Sequence, residues 1–366
     1  MGVGMGVNLL LLVAMVATNI LSLYHLASLQ NPSSPSPPAP VPDHLIRQLS
    51  TIRATINHLT RLRSSSSSSS ASSPPPPELL LYARLSPIGS ACRDNPTLLH
   101  RYMNYTPFSL CPSDQPLVES LILRGCHPLP RRRCFQPTPT KPASSLPHSQ
   151  FPSSLSDSAV LWPPSSCNSF SCLARNVAGF DMKIESSKFI SPPKSPLDLT
   201  VSQLLEYSRN LNSALRLAVD VGGETGTFAA RMKQHNLTVL TTTMNLGAPY
   251  SETAALRGVV PLHLPLQLRL PIFDGVLDLV RCGHGVNRWI PTTALEFLLY
   301  DLDRVLRGGG FLWLDHFSCK AGDLEKVYGP LIGRLGYKRL RWATGNKTDS
   351  KNADVYLTAL LQKPWK

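Results

Sequence analysis

Asp220-Val221-Gly222-Gly223-Glu224-Thr225-Gly226 brings together residue types that can hold a charged, nucleotide-like ligand. An apolar run (Leu215, Leu217, Ala218, Val219) leads into it, and Phe228, Ala229, Ala230 and Met232 follow with helical spacing. A strand, a glycine-rich turn and a helix hold such ligands at the carboxyl edge of an α/β sheet. Asp220 closes the strand. Gly222, Gly223 and Gly226 let the backbone approach a ligand that a Cβ would keep away. A helix starting near Thr227 would aim amide N–H groups at an anionic part of it. The spacing is Asp-x-Gly-x-Glu-x-Gly, not the dinucleotide Gly-x-Gly-x-x-Gly. Glu224 therefore puts bulk and negative charge where glycine would allow close approach.

Further candidates lie at the ends of the following strands. Strand two ends in Thr243, Met244 and Asn245, with no acid for sugar hydroxyls; Asn245 still offers a hydrogen-bonding amide. After strand three, Leu264 to Pro271 contains no acid either, and Gln267 is its best substitute. Strand four empties into Arg281-Cys282-Gly283-His284-Gly285-Val286-Asn287-Arg288-Trp289, and strand five into Trp313-Leu314-Asp315-His316. His284 and His316 can each act as a general base near neutral pH, with His284 preferred; a histidine simply hydrogen-bonded in its loop fits either position equally well. Gly283 belongs with the ligand-binding loop, and Arg288 suits a carboxylate such as that of an acidic sugar. Asp278 reads as structural. No spacing indicates a metal.

These residues need a sheet beneath them. From Leu197 onward helical and strand patterns alternate. Helices are predicted over Leu199–Leu211, Phe228–Gln234, Thr293–Leu306 and Leu324–Leu335, with Gly308-Gly309-Gly310 marking the end of the third. Strands are predicted over Leu215–Val221, Thr238–Thr243, Val259–Leu264, Gly275–Cys282 and Phe311–Asp315, with Tyr337–Ala343 and Asp354–Leu361 as a closing antiparallel pair. The alternation implies a mostly parallel sheet covered by helices on both faces.

The first half is organised differently. Asn8 to Leu29 lacks Asp, Glu, Lys and Arg and is about the ~20 residues that span a bilayer. No basic residue precedes it and Leu26-Ala27-Ser28 is a poor cleavage site, so an uncleaved signal anchor is expected over a cleaved signal peptide. Gly6 stands where N-myristoylation needs Ser or Thr. A proline-serine linker follows; within it, apolar residues from Leu45 to Leu62 form one helical stripe suited to self-association. The seven serines Ser64 to Ser70 and Pro74 to Pro77 form a spacer. Six of the eight cysteines (Cys92, Cys111, Cys126, Cys134, Cys167, Cys172) then cluster in a loop-rich region. No Cys-x-x-Cys pair occurs, which favours disulfides over zinc, with all fifteen pairings open. Three Asn-x-Ser/Thr sequons agree with a luminal body. The net charge is +13, and residues 1–196 carry 16 Lys+Arg against 8 Asp+Glu. Few aromatics accompany that charge, so nucleic acid is not the expected partner. The expected divisions are an anchor over 1–30, a linker over 31–78, a cysteine-containing stem over 79–196 and a catalytic-type domain over 197–366.

From about residue 79 to 366 the chain resembles the plant S-adenosylmethionine-dependent methyltransferase-like proteins that carry an N-terminal membrane anchor. It is more distantly similar to Golgi pectin-type methyltransferases. The resemblance rests on Leu98–Met103, Leu123–Cys134, Cys167–Leu173, the 220–226 motif, Thr241–Leu246, Phe273–Trp289 and Leu306–Phe311. It implies a Rossmann-like class I methyltransferase sheet with S-adenosylmethionine as cofactor. Asp220, Gly222, Gly223, Glu224, Gly226, Asn245, Gln267 and Gly283 would line the cofactor, with Asp220 near its methionine end. Related proteins also carry asparagine at the position of Asn245. The implied setting is the Golgi or another endomembrane, with the membrane reached through the N-terminal helix and a methyl acceptor such as an acidic polysaccharide. A non-catalytic scaffold that keeps the fold but has a degenerate loop at Glu224 is the competing expectation. A cytosolic dehydrogenase is a poor third reading, because the glycine spacing differs and no strand-two acid is evident.

Overall fold

In a computed structural model the described residues are 53, 54, 57, 89–139, 146–164, 167–175, 180–283, 285–347 and 354–365. They fall in two units, Met1–Ala71 and Ser72–Lys366, and all that follows concerns the second. The expected anchor over 1–30, the linker to 78 and nearly all of the amphipathic stripe lie outside the described residues. Among those described, no helix is long and apolar enough to cross a membrane.

The strands are β1 (Leu217–Val221), β2 (Thr238–Thr243), β3 (Val260–His263), β4 (Leu277–Cys282), β5 (Leu306–Lys320), β6 (Lys338–Asn346) and β7 (Asp354–Gln362). They form a seven-stranded sheet in the order β3-β2-β1-β4-β5-β7-β6. β1 pairs in parallel with both β2 and β4, while β7 runs antiparallel to β5 and to β6. The chain order therefore reverses between β1 and β4, and the crevice at the carboxyl ends of those strands is where an open α/β sheet takes its ligand.

Helices cover both faces, as a Rossmann-like α/β fold requires. α1 (Pro96–Met103) and α2 (Gln115–Leu123) belong to the cysteine-rich segment. α3 (Val201–Asn210), α4 (Thr227–Lys233), α5 (Tyr250–Leu256) and α6 (Thr292–Val305) serve the sheet. Leu204, Phe228, Ala229 and Met232 pack with Ala218, Leu279, Phe311 and Trp313 on one face. Leu295, Leu298, Leu299 and Leu302 of α6 pack with Val219, Val280 and Leu312 on the other. Period-two alternation divides the strand residues between these faces. α3 begins with a capping box between Thr200 and Gln203, so two otherwise orphaned backbone donors are satisfied at once.

Three local readings change. α6 ends at Val305 and β5 begins at once, carrying the triglycine inside the strand; Gly309 adopts φ 73° and any Cβ there would collide with the Trp365 ring. The helix expected over 324–335 is instead a run of short pieces with a π-turn at Leu324–Tyr328. A Cβ on Gly329 would lie 2.8 Å from the Leu324 carbonyl oxygen, and Pro330 removes a donor at the same point. α5 was not expected and follows Pro249.

The cysteine-rich segment is stapled by Cys92–Cys126, Cys111–Cys134 and Cys167–Cys172. Cys282 and Cys319 are buried free thiols in the sheet, pushed up to about 12 and about 11 by burial.

Candidate functional site

Asp220 and Arg281 are register partners across β1 and β4, and Arg281 is in turn opposite Trp313 of β5. Period two then puts Asp220, Arg281, Trp313 and Asp315 on one face at the carboxyl end of the sheet. All four are buried. The guanidinium Nη1 donates to Asp220 Oδ1 at 2.6 Å, while Nε and Nη2 donate to Asp315 Oδ2 at 3.1 and 2.5 Å. Phe189, Phe228 and Trp313 pack edge to face around it, with the guanidinium carbon 4.9–5.4 Å from their ring centres. A buried charge survives only when paired and hydrogen-bonded, and here two carboxylates and an aromatic box do this for one arginine.

The second oxygen of Asp315 meets His316 Nδ1 at 2.7 Å. Burial alone would raise the Asp315 carboxyl, but Arg281 and His316 hold it well below the usual carboxylate range. Its hydrogen bond in turn raises His316 above the ordinary imidazole value, with burial opposing. His316 takes φ 54° at a register shift between β5 and β7, which turns its ring out of the strand's alternation. Its Nε2 is 3.7 Å from Asp198 Oδ1.

The turn after β1 is built on β2. Gly222 N–H donates to Thr242 Oγ1 at 2.8 Å and Gly223 N–H to the Thr242 carbonyl at 3.1 Å. A Cβ on Gly223 would lie 2.1 Å from Thr241 Oγ1 and 2.3 Å from Asp220 Oδ2, so glycine is obligatory there. Glu224 adopts φ 50° and Gly226 φ 72°. Asp220 itself has no solvent exposure, whereas the Glu224 side chain is exposed. Thr227, at the start of α4, donates its hydroxyl to the buried Glu185, which also pairs with Lys188.

Two cavities open on this edge, each within the ~300–1,000 Å³ of small-molecule sites. The first, about 340 Å³, is polar: Lys188, Lys194, Asp198, Arg281, Asp315 and His316 line it beside Phe189 and Phe228. The second, about 670 Å³, is apolar, walled by Met244, Leu246, Leu264, Leu266 and Trp289 with Thr243 and Gln267. Gly222 and Glu224 line both. Thr243 Oγ1, in the second, is buried without a partner among the described residues.

The cysteine-rich segment completes the second cavity. Leu123 of α2 is part of its wall, and Gln267 Nε2 donates to the Leu123 carbonyl at 3.1 Å. Four residues back, Glu119 Oε1 accepts from Asn245 N–H at 3.3 Å and lies 2.8 Å from His263 Nε2.

Of the residues expected from sequence, Gly222, Gly223, Glu224, Gln267 and His316 line one or both cavities. Asp220 lies beneath them, and Gly226 starts α4. Gly283 packs against Gly222, where a Cβ would be 3.0 Å from the Gly222 carbonyl oxygen. Asn245 lines neither cavity: its amide donates to Glu252 at 3.0 Å and its Oδ1 accepts from Ser251 N–H at 2.9 Å. Arg288 pairs with Asp354 at 3.0 Å and packs on Trp289. His284 lies outside the described residues. No group of residues able to hold a metal occurs among those described. Sequence reasoning missed Arg281 and Asp315. The available signal was an arginine buried in the strand Leu277–Cys282, one position before its end, beside Leu279, Val280 and Cys282.

No family profile matches the chain. A probable methyltransferase of Arabidopsis thaliana is 61% identical over 382 aligned positions, covering 99% of each chain. Among solved structures, a Methanosarcina mazei S-adenosylmethionine-dependent methyltransferase aligns at TM-score 0.36 and 10% identity, covering 44% of this chain and 98% of its own. The N-methyltransferase NodS of Bradyrhizobium japonicum aligns at TM-score 0.34 and 13% identity, covering 44% and 93%.

Proposed function

The chain belongs to the plant family of that Arabidopsis probable methyltransferase, and from this premise we propose that it transfers a methyl group from S-adenosylmethionine to an acceptor of the secretory pathway. One observation carries the cofactor assignment: a polar and an apolar cavity meet at Gly222 and Glu224, on the β1–β4 switch point. A cofactor with an aromatic base at one end and an amino acid at the other fits such a pair. Met244, Leu246, Leu264 and Leu266 would enclose the base, with Gln267 and the Thr243 hydroxyl, which has no partner among the described residues, as polar contacts. Lys188, Lys194 and the Gly222–Thr225 turn would face the amino-acid end. When bound, S-adenosylmethionine supplies a methyl group on a positively charged sulfur, and in-line displacement then depends chiefly on alignment.

His316 is the base for an acceptor hydroxyl. Asp315 fixes Nδ1, so Nε2 is the nitrogen that takes the proton. Arg281 keeps Asp315 ionised and in place. His284 is a second candidate base and Arg288 a candidate contact for an acidic sugar; the acceptor is accordingly a glycan or a small secretory-pathway molecule. The apolar run 8–29 anchors the chain in a Golgi or other endomembrane, residues 44–63 favour self-association, and linker (31–78), stem (79–196) and methyltransferase-like domain (197–366) face the lumen.

A second reading is favoured by Glu224 alone: a scaffold with a degenerate loop. Isothermal titration of the full-length chain with S-adenosylmethionine separates them. Micromolar binding by the unmodified protein supports the enzyme, and binding that appears only in Glu224→Gly supports the scaffold. Endoglycosidase sensitivity in cells checks the luminal orientation, and an unglycosylated chain would contradict it.

A further inference from the structure

The acid at the end of β1 cannot meet a ligand's charge. Asp220 has no exposed surface, one of its oxygens is held by Arg281, and the glycine turn covers the other beside Thr241. Arg281 is likewise engaged twice, by Asp220 and Asp315, and Lys188 is paired with Glu185. Glu224 stands apart from this pattern. Its side chain is exposed, it makes no hydrogen bond or ion pair among the described residues, and it lines both cavities. Its backbone lies in the left-handed region at φ 50°, a conformation that disfavours a side chain and that glycine would adopt freely. The turn thus holds a carboxylate at the seam between the cavities.

Resting on the methyltransferase reading above, we propose that Glu224 is the counter-charge for the sulfonium of S-adenosylmethionine, in place of the buried Asp220. The position in the seam selects this atom. The sulfur joins the adenosine half of the cofactor to its amino-acid half, so a residue lining both cavities faces the junction and not either end. A carboxylate beside a cation in a partly enclosed site gains more than it would in open water. The surroundings agree: although the residue reaches solvent, burial of much of its carboxyl pushes it up, Lys188 and Arg281 oppose this, and Glu185 and Asp220 add to it, so an incoming positive charge favours the ionised form. The residue that breaks the glycine pattern then discriminates the charged cofactor from its uncharged product.

The test is calorimetric titration of the full-length chain with S-adenosylmethionine and with S-adenosylhomocysteine, which has the same two ends and a neutral sulfur. The unmodified protein should prefer the charged ligand about tenfold, the equivalent of one good charge contact. Glu224→Gln should lose most of that preference while its affinity for S-adenosylhomocysteine stays within about twofold, which also shows that the variant is folded. An unchanged preference in Glu224→Gln overturns the proposal. Equal losses for both ligands also overturn it, by placing Glu224 at the amino-acid end, and tighter binding of S-adenosylmethionine by Glu224→Gly makes Glu224 an obstruction. Absence of binding to either ligand by every variant, Glu224→Gly included, overturns the methyltransferase reading itself. Binding of both ligands with no charge preference defeats this inference alone.

Discussion

The two cavities that meet at Gly222 and Glu224 are built on opposite principles. In the polar cavity, Asp220, Arg281, Asp315 and His316 are fixed by one another: the first three are linked across adjacent strands, and His316 is held by its chain neighbour Asp315. In the apolar cavity, Met244, Leu246, Leu264 and Leu266 come from the loops after β2 and β3, and α2 of the cysteine-rich segment closes the wall through Leu123. The first presents a rigid charge pattern; the second presents shape and recruits part of it from outside the sheet. Changes in the polar cavity should therefore register in stability and rate, and changes in the apolar one in affinity.

The harshest way to break this contrast is Arg281→Met. It leaves two carboxylates buried without a counter-charge and should cost about 3–5 kcal/mol in urea denaturation. A loss under 1 kcal/mol would mean that the network is not structural.

His316→Gln should lower kcat by about 10²–10⁴-fold with little change in cofactor affinity. In the unmodified enzyme, activity should rise with pH as His316 loses its proton, with a midpoint above the ordinary imidazole value because Asp315 holds the proton on. Asp315→Asn should move that midpoint down. The same shift fixes the sign in stability: His316 contributes fully below its unfolded pKa, and the contribution is lost as pH climbs through the raised folded value.

On the apolar side, the paired substitution Cys92→Ala and Cys126→Ala removes a staple behind α2. It should lower stability by about 2–4 kcal/mol and loosen cofactor binding while leaving the pH midpoint in place. A moved midpoint would show that the two cavities are not independent in this way.

The mildest change is Leu266→Ala, which removes apolar wall without adding charge and should weaken S-adenosylmethionine and S-adenosylhomocysteine about equally, by roughly tenfold. Unequal losses would contradict a cavity that reads shape and not charge.

Much of this was legible in the chain. The strand–turn–helix at 217–233 and the alternating order that follows come from local patterning, because each element must bury one face against its neighbour. Glu224 was visible as the break in the glycine spacing, and His316 as a histidine beyond a strand end. The Arg281 network was not, since it depends on which strands become neighbours: Asp220 and Arg281 are 61 residues apart and meet only because β4 lies beside β1. The wall formed by α2 was hidden for the same reason, with Glu119 and His263 separated by 144 residues. Asn245 was read for its type and end-of-strand position, but its amide serves the start of α5.

The central claim is that the two cavities are the halves of one cofactor site. Amide hydrogen exchange of the full-length chain, with and without saturating S-adenosylmethionine, tests it directly. Two halves of one site require simultaneous protection of the turn at 222–227 and of the loops at 243–250 and 264–267. Protection of only one side, or of neither, would contradict it.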